Sequence, residues 1–180
     1  METLNKAIVF ATEHHKHQTR KGTVNGVKMP FLIHPMSVMK RVWRYGANED
    51  VMAAAILHDT LEDCPHITHD ILTQEFGPTI AGYVLDLTFN PVLTTKPKYL
   101  ETFQHKPIQS LIIKIADRLT NTADFVEIGD IKYARKYFHK ADTLFKTLTK
   151  RTKEVTTTFP LATKIHKDVA QIIKILEGND

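Results

Sequence analysis

The chain has 180 residues, 42% of them hydrophobic and 24% charged, with a net charge of +4; this predicts one domain over residues 1–180 that buries about two-thirds of its unfolded surface. No charge-free apolar run is long enough to span a bilayer, and "METLNKAIVFATEHH" has neither the basic start nor the small-residue cleavage site of a signal peptide. The lone Cys64 permits no internal disulfide and suits a reducing cytoplasm, while the positive balance suits an anionic ligand without the aromatic-interleaved basic stripe that marks nucleic-acid binding.

Seven glycines, eight prolines and long 3.6-residue periodicities predict an all-helical fold. Residues 2–16 form a first helix with Leu4, Ile8 and Ala11 on one side. "TRKGTVNGVKMP" (19–30) is a polar loop closed by Pro30. A second helix starts at Pro35, runs through Tyr45 and stops at Gly46. A third opens beside Glu49 and Asp50 and carries "AAAILHDTLED" (53–63) through about Glu62, with Pro65 helping to end it. A short helix over 68–76, capped by Thr68 or Asp70, is punctuated by Gly77-Pro78, and another follows over 79–88. Residues 90–107 read as a loop holding a short helix. "IQSLIIKIADRLTNTADF" begins at Pro107 or Ile108 and is apolar at 108, 111, 112, 115 and 119, the pattern of a helix packed in a core. Two long helices, roughly 130–157 and 160–177, finish the chain.

The apolar run of the third helix ends abruptly in His58-Asp59, with Glu62-Asp63 one turn on. An imidazole and a carboxylate near a core are costly unless each has a partner, and a divalent cation is a partner for both. His34 in "PFLIHP" and Asp117 in "IIKIADRLTN" are also polar residues in apolar settings, each from a different helix. Together His34, His58, Asp59 and Asp117 offer two nitrogens and at least two oxygens, leaving positions for water and substrate. Mn²⁺ or Fe²⁺ suits this mixed set better than a structural zinc. The dipeptide recurs at His69-Asp70, but there Asp70 sits at a polar helix start and reads as a favourable N-terminal charge. His14, His15 and His17 read as a polar helix end near solvent.

Taken together, "HKHQTRKG…MPFLIHP", "AAAILHDTLED", "EFGPTIAGYVLDLT" and "IIKIADRLTN" resemble the HD-domain hydrolases of the RelA/SpoT homologue type, over roughly residues 4–146 and in the family's order. The resemblance implies a helical fold, one Mn²⁺ and removal of the 3′-pyrophosphate from the guanosine alarmones ppGpp and pppGpp. It implies that His34, His58, Asp59 and Asp117 bind the metal and that Glu62 and Asp63 activate and orient the attacking water. Helical spacing agrees, because Glu62 is at i+4 from His58 and Asp63 at i+4 from Asp59. Arg20 and Lys21 match a basic pair that contacts substrate, Asn121 a residue near the nucleoside, and Tyr137 a later aromatic position. The chain departs from the family in "TVNGVKM", inserted before the Pro-aromatic-apolar-x-His-Pro signature, and in "LTFNP", where an acidic residue commonly follows the Thr. In "LTNTAD", Ala123 replaces the usual arginine. These departures fall where substrate is gripped. The expected partner is therefore a small phosphorylated nucleotide, with no membrane or nucleic acid, homo-oligomerisation left open and no room for a synthetase domain. The alternatives are hydrolysis of an adenosine alarmone, the 2′-phosphate of NADPH or a nucleoside monophosphate, and a non-catalytic nucleotide-binding or antitoxin module.

Overall fold

Residues 2–178 are described in a computed structural model of the chain. Among them every regular element is helical: α1 (Glu2–His15), α2 (Ile33–Arg44), α3 (Glu49–Leu57), α4 (Thr60–Asp63), α5 (His69–Leu87), α6 (Lys96–Glu101), α7 (Ile108–Glu127), α8 (Ile131–His139), α9 (Asp142–Lys150), α10 (Thr152–Thr158) and α11 (Thr163–Glu177), with a single 3₁₀ turn at Thr102–Gln104. None of these helices is long and apolar enough to cross a membrane.

The centre is α3, whose Ala53, Ala54, Ala55, Ile56 and Leu57 are all fully buried. A helix apolar on every side must be enclosed, and α1, α2, α5 and α7 all pack on it. Its start is set by Asn48, whose side chain accepts the Val51 N–H at 3.1 Å. α7 is the second pillar, buried without interruption from Ser110 to Thr120. α2 ends as its sequence predicts: Gly46 takes φ 88° and its N–H returns to Trp43 O. α11 is fastened to α2 through Asp168, a buried carboxylate that accepts from Arg41 at 2.9 Å and from the Tyr45 hydroxyl at 2.9 Å.

Three local expectations are corrected. The third helix does not run unbroken to Glu62 but turns at His58-Asp59 and resumes as α4. By contrast, the helices expected over 68–76 and 79–88 are present as the two arms of α5, which meet at the expected break, where Gly77 takes the non-helical φ 80°, ψ 164°. The long helix expected over 130–157 is divided into α8, α9 and α10. At the second division Arg151 donates to Phe103 O and Lys106 O at 3.0 and 2.6 Å, drawing the chain toward the turn before α7. At the first, Ala141 is pulled in to full burial. Finally, His15 is not solvated: it is 2% exposed, stacks on Phe31 at 4.7 Å between ring centroids and pairs with Gln18 Oε1 at 2.8 Å.

The inserted loop is a small hairpin. Val24 and Val27 exchange N–H···O bonds at 3.0 Å around Asn25-Gly26, both at positive φ, the sequence and conformation of a tight primed turn. A bridge between Thr19 and Pro30 closes its base, fixing Arg20 and Lys21 beside the start of α2.

Candidate active site

Three helices deliver the buried polar residues to one point. His34 is in the first turn of α2, His58 and Asp59 form the turn that ends α3, and Asp117 lies midway along α7. One ligand atom each from His34, His58 and Asp59 lies within 4.8 Å of the others. Asp117 Oδ1 stands 3.2 Å from His34 Nε2 and 3.8 Å from His58 Nε2, while Asp59 reaches the same two nitrogens at 3.7 and 3.1 Å.

The local chemistry orients this set. His58 Nδ1 is 2.8 Å from the Ala55 carbonyl, which can only accept, so Nδ1 carries the proton. Its Nε2 then faces the cluster, buried and without a hydrogen-bond partner. A backbone-anchored imidazole with its other nitrogen bare is the arrangement of a metal-ligating histidine, and the mixed nitrogen–carboxylate set fits a divalent ion. Burial opposes a charged His58, yet Asp59 and then Asp117 reverse this and push its pKa up to about 9, so the carboxylates draw positive charge to the Nε2 position, where a divalent cation would take the place of the proton. Burial would likewise raise the Asp59 carboxyl, but His58 holds it at about 2. Asp117 is held well below the carboxylate range despite its burial, chiefly by Lys114 at 2.9 Å.

The cluster opens into a cavity of about 500 Å³. Of the residues singled out in the sequence, Arg20, Lys21, His34, Asp59, Glu62, Asp63, Asp117, Asn121 and Tyr137 line it; His58 stands behind the wall. Glu62 Oε1 accepts the Phe89 N–H at 2.5 Å, whereas the Asp63 carboxylate accepts no hydrogen bond among the described residues. Partial burial, then the charges of Asp59 and Glu62, raise the Asp63 pKa. Arg20 is not free: its Nη2 donates to Asn121 Oδ1 at 2.8 Å and to Asp124 Oδ2 at 2.6 Å. Asn121 in turn donates to Asp117 Oδ1 at 2.5 Å, so the basic loop is connected to the cluster through one amide. Lys21 lies on the exposed hairpin at the mouth. Tyr137 packs its ring 3.9 Å from the Arg118 guanidinium, and burial, then Asp117, push its hydroxyl up to about 12.

Several lining residues were not read from the sequence. Lys114, 5% exposed, is a cation inside the apolar run "LIIKIA", which is itself a signal of pairing. Lys96 stands at the rim with its ammonium 4.3 Å from the Phe89 ring, and burial, then Lys114, lower its pKa to about 8. Phe125 and Tyr133, 4.6 Å apart in ring centroids, form an aromatic wall of the cavity. Asp124 had no signal, being one polar residue among others in "TNTAD".

A family profile described as an HD domain matches residues 7–155. The chain is 31% identical over 157 residues to the guanosine-3′,5′-bis(diphosphate) 3′-pyrophosphohydrolase MESH1 of Danio rerio, covering 82% of this chain and 83% of that protein. It is 32% identical over 124 residues to the MESH1 of Xenopus tropicalis, covering 66% and 67% respectively. A guanosine-3′,5′-bis(diphosphate) 3′-pyrophosphohydrolase of Aquifex aeolicus is 29% identical over 126 residues, but this chain spans only 17% of its length. The fold is similar to the solved structure of a metazoan SpoT orthologue described as hydrolysing ppGpp, with a TM-score of 0.74, 21% identity, and coverage of 97% of this chain and 95% of that one.

Proposed function

Because the chain belongs to the HD domain family, we propose that it is a metal-dependent phosphohydrolase that removes the 3′-pyrophosphate from guanosine alarmones. Residues 1–180 act as one catalytic unit in the cytoplasm, His34, His58, Asp59 and Asp117 are the ligands, and the ion is Mn²⁺, with Fe²⁺ the other ion suited to the set. The observation that carries the reading is the buried, bare Nε2 of His58, anchored through its other nitrogen and facing three further donors. The substrate class is supported by the names of the MESH1 relatives that match most of the chain.

A bound divalent ion would supply Lewis-acid activation of the ester phosphate and a water of lowered pKa. The chain's own residues do the rest. Asp63, with its raised pKa and unengaged carboxylate, takes the proton of the attacking water. Glu62, tied to the Phe89 N–H, orients that water. Water attacks the phosphorus bound to the 3′ oxygen; the 3′ O–P bond breaks, the 3′ oxygen leaves with the bonding pair and gains the proton released through Asp63 and solvent, and pyrophosphate departs. Arg20, Lys21 and Lys96 balance the negative charge of the diphosphate, while Asn121 and Tyr137 border the nucleoside.

The deciding experiment is a panel of ppGpp, pppGpp, an adenosine alarmone, NADPH and nucleoside monophosphates, assayed with Mn²⁺ for phosphate against pyrophosphate. Pyrophosphate from the guanosine alarmones is expected, lost in Asp59→Ala and retained in Asp70→Ala. Orthophosphate from NADPH or a monophosphate would replace the substrate, and equal loss in both variants would remove the site. Rescue of cells from a toxic alarmone synthetase by Asp59→Ala would point instead to a sequestering module.

A further inference from the structure

Asp124 belongs to no step of the mechanism, yet one of its oxygens faces two residues that do. Asp124 Oδ2 is 2.6 Å from Arg20 Nη2 and 3.9 Å from His34 Nδ1. That nitrogen of His34 is buried and has no hydrogen-bond partner, while Nε2 of the same ring faces Asp117 and Asp59 at 3.2 and 3.7 Å. A neutral imidazole carries one proton, so once Nε2 holds a cation the proton is on Nδ1. A buried N–H with no acceptor is unfavourable, and ligating histidines almost always donate theirs to a carboxylate, carbonyl or water. His58 has such an acceptor in Ala55 O; among the described residues His34 Nδ1 has no hydrogen-bond partner. The Asp124 oxygen lies about 1 Å beyond hydrogen-bonding distance, on a side chain 38% exposed, so that a change of rotamer suffices to close the gap.

Resting on the metal reading above, we propose that Asp124 is a positioning residue shared between Arg20 and His34. In the structure Arg20 holds the carboxylate at the mouth. When a nucleotide phosphate draws the guanidinium into a charge-assisted pair, Asp124 closes on His34 Nδ1–H and strengthens His34 as a ligand. Asn121 Oδ1 remains available to Arg20 in either position. Phosphate capture at the mouth and ion retention in the interior are thereby coupled, and the coupling works in both directions.

The test is Mn²⁺ affinity measured by calorimetry without nucleotide, so that neither turnover nor substrate identity enters. Arg20→Ala releases Asp124 toward His34 and is expected to tighten Mn²⁺ binding by about 3–10-fold; Asp124→Ala is expected to weaken it by about 10-fold or more. Asp124→Asn, whose amide oxygen can still accept from Nδ1–H, recovers at least part of that loss. In the double variant Arg20→Ala adds nothing to Asp124→Ala. Thermal unfolding followed by circular dichroism confirms that each variant is folded. Unchanged affinity in Asp124→Ala, or a tightening by Arg20→Ala that persists without Asp124, overturns the proposal; persistent tightening reports only the loss of a nearby positive charge. A wild-type protein that takes up no Mn²⁺ overturns the metal reading as well, whereas uptake without alarmone hydrolysis overturns the substrate assignment alone.

Discussion

At the scale of single residues, the site is a set of polar atoms whose burial makes sense only if they act together. His34, His58, Asp59 and Asp117 were legible because each interrupts an apolar run, and a buried polar group demands a partner. Lys114 carries the same signature but escapes notice, since a lysine on a helix ordinarily reaches water; here it pairs with Asp117. His15 was read as solvated because its partner, Phe31, is distant in sequence and meets it only when the hairpin folds back. Glu62 and Asp63 are distinguished by the structure in a way that their spacing cannot do. Glu62→Gln keeps an oxygen for the Phe89 N–H, whereas Asp63→Asn deletes the proton acceptor. Both variants are expected to retain Mn²⁺, with turnover falling by about 10²–10⁴-fold in Asp63→Asn and less in Glu62→Gln; the reverse order in steady-state assays would exchange their roles. Lys96 gives a pH dependence. Its pKa falls from an ordinary 10.5 to about 8 on folding, so from pH 8 to 10.5 Lys96 holds more proton in the unfolded chain and its own contribution to stability rises with pH. Its charge on the substrate is lost over that same range, so KM is expected to climb above pH 8. A Lys96→Gln variant should show neither trend, and an unaltered KM profile there would remove Lys96 from phosphate binding.

At the scale of elements, periodicity located α1, α2, α5 and α7 because each presents a repeating apolar face to a continuous core. It failed at 130–157, where an unbroken helical pattern hides two turns created by tertiary contacts: Arg151 reaching the carbonyls of Phe103 and Lys106, and Ala141 drawn into the core. Punctuation residues were informative where the backbone needs them. Gly77 marks a kink inside α5 at φ 80°, ψ 164°, a conformation that side chains other than hydrogen rarely adopt. Beyond the adjoining backbone, no atom of the described residues lies within 4 Å of a Cβ placed there, so the penalty for Gly77→Ala is backbone strain rather than collision. We expect a loss of about 1–3 kcal/mol in denaturant unfolding with Mn²⁺ affinity preserved, because the kink is remote in sequence from every proposed ligand. A stability equal to wild type would mean that the kink relaxes without cost.

At the scale of the whole molecule, the order of motifs along the chain identified what no single motif could: a histidine opening α2, a His-Asp turn closing α3 and an aspartate within α7 specify one fold only when taken together. What the sequence could not convey was how those elements are held in register. α2 is fastened to α11 through Arg41 and Asp168 and to α7 through the Arg41–Thr120 hydrogen bond at 3.0 Å, so the scaffold around His34 and Asp117 is fixed partly by a helix beyond the matched family region. An ion bridging α2, the α3–α4 turn and α7 would therefore join segments far apart in the chain, and its binding energy becomes folding energy because the unfolded chain holds no such site. At an ion concentration 100 times the dissociation constant the gain is about 2.7 kcal/mol, which for a chain of this length corresponds to a rise in Tm of about 5–10 °C. Chelator is expected to lower the melting temperature of the wild type by that amount and Mn²⁺ to restore it. Asp59→Ala should melt at the same temperature with or without chelator, although the variant itself remains folded on the apolar core of α3. Equal chelator sensitivity in the two proteins would place the stabilising ion somewhere other than between these three helices.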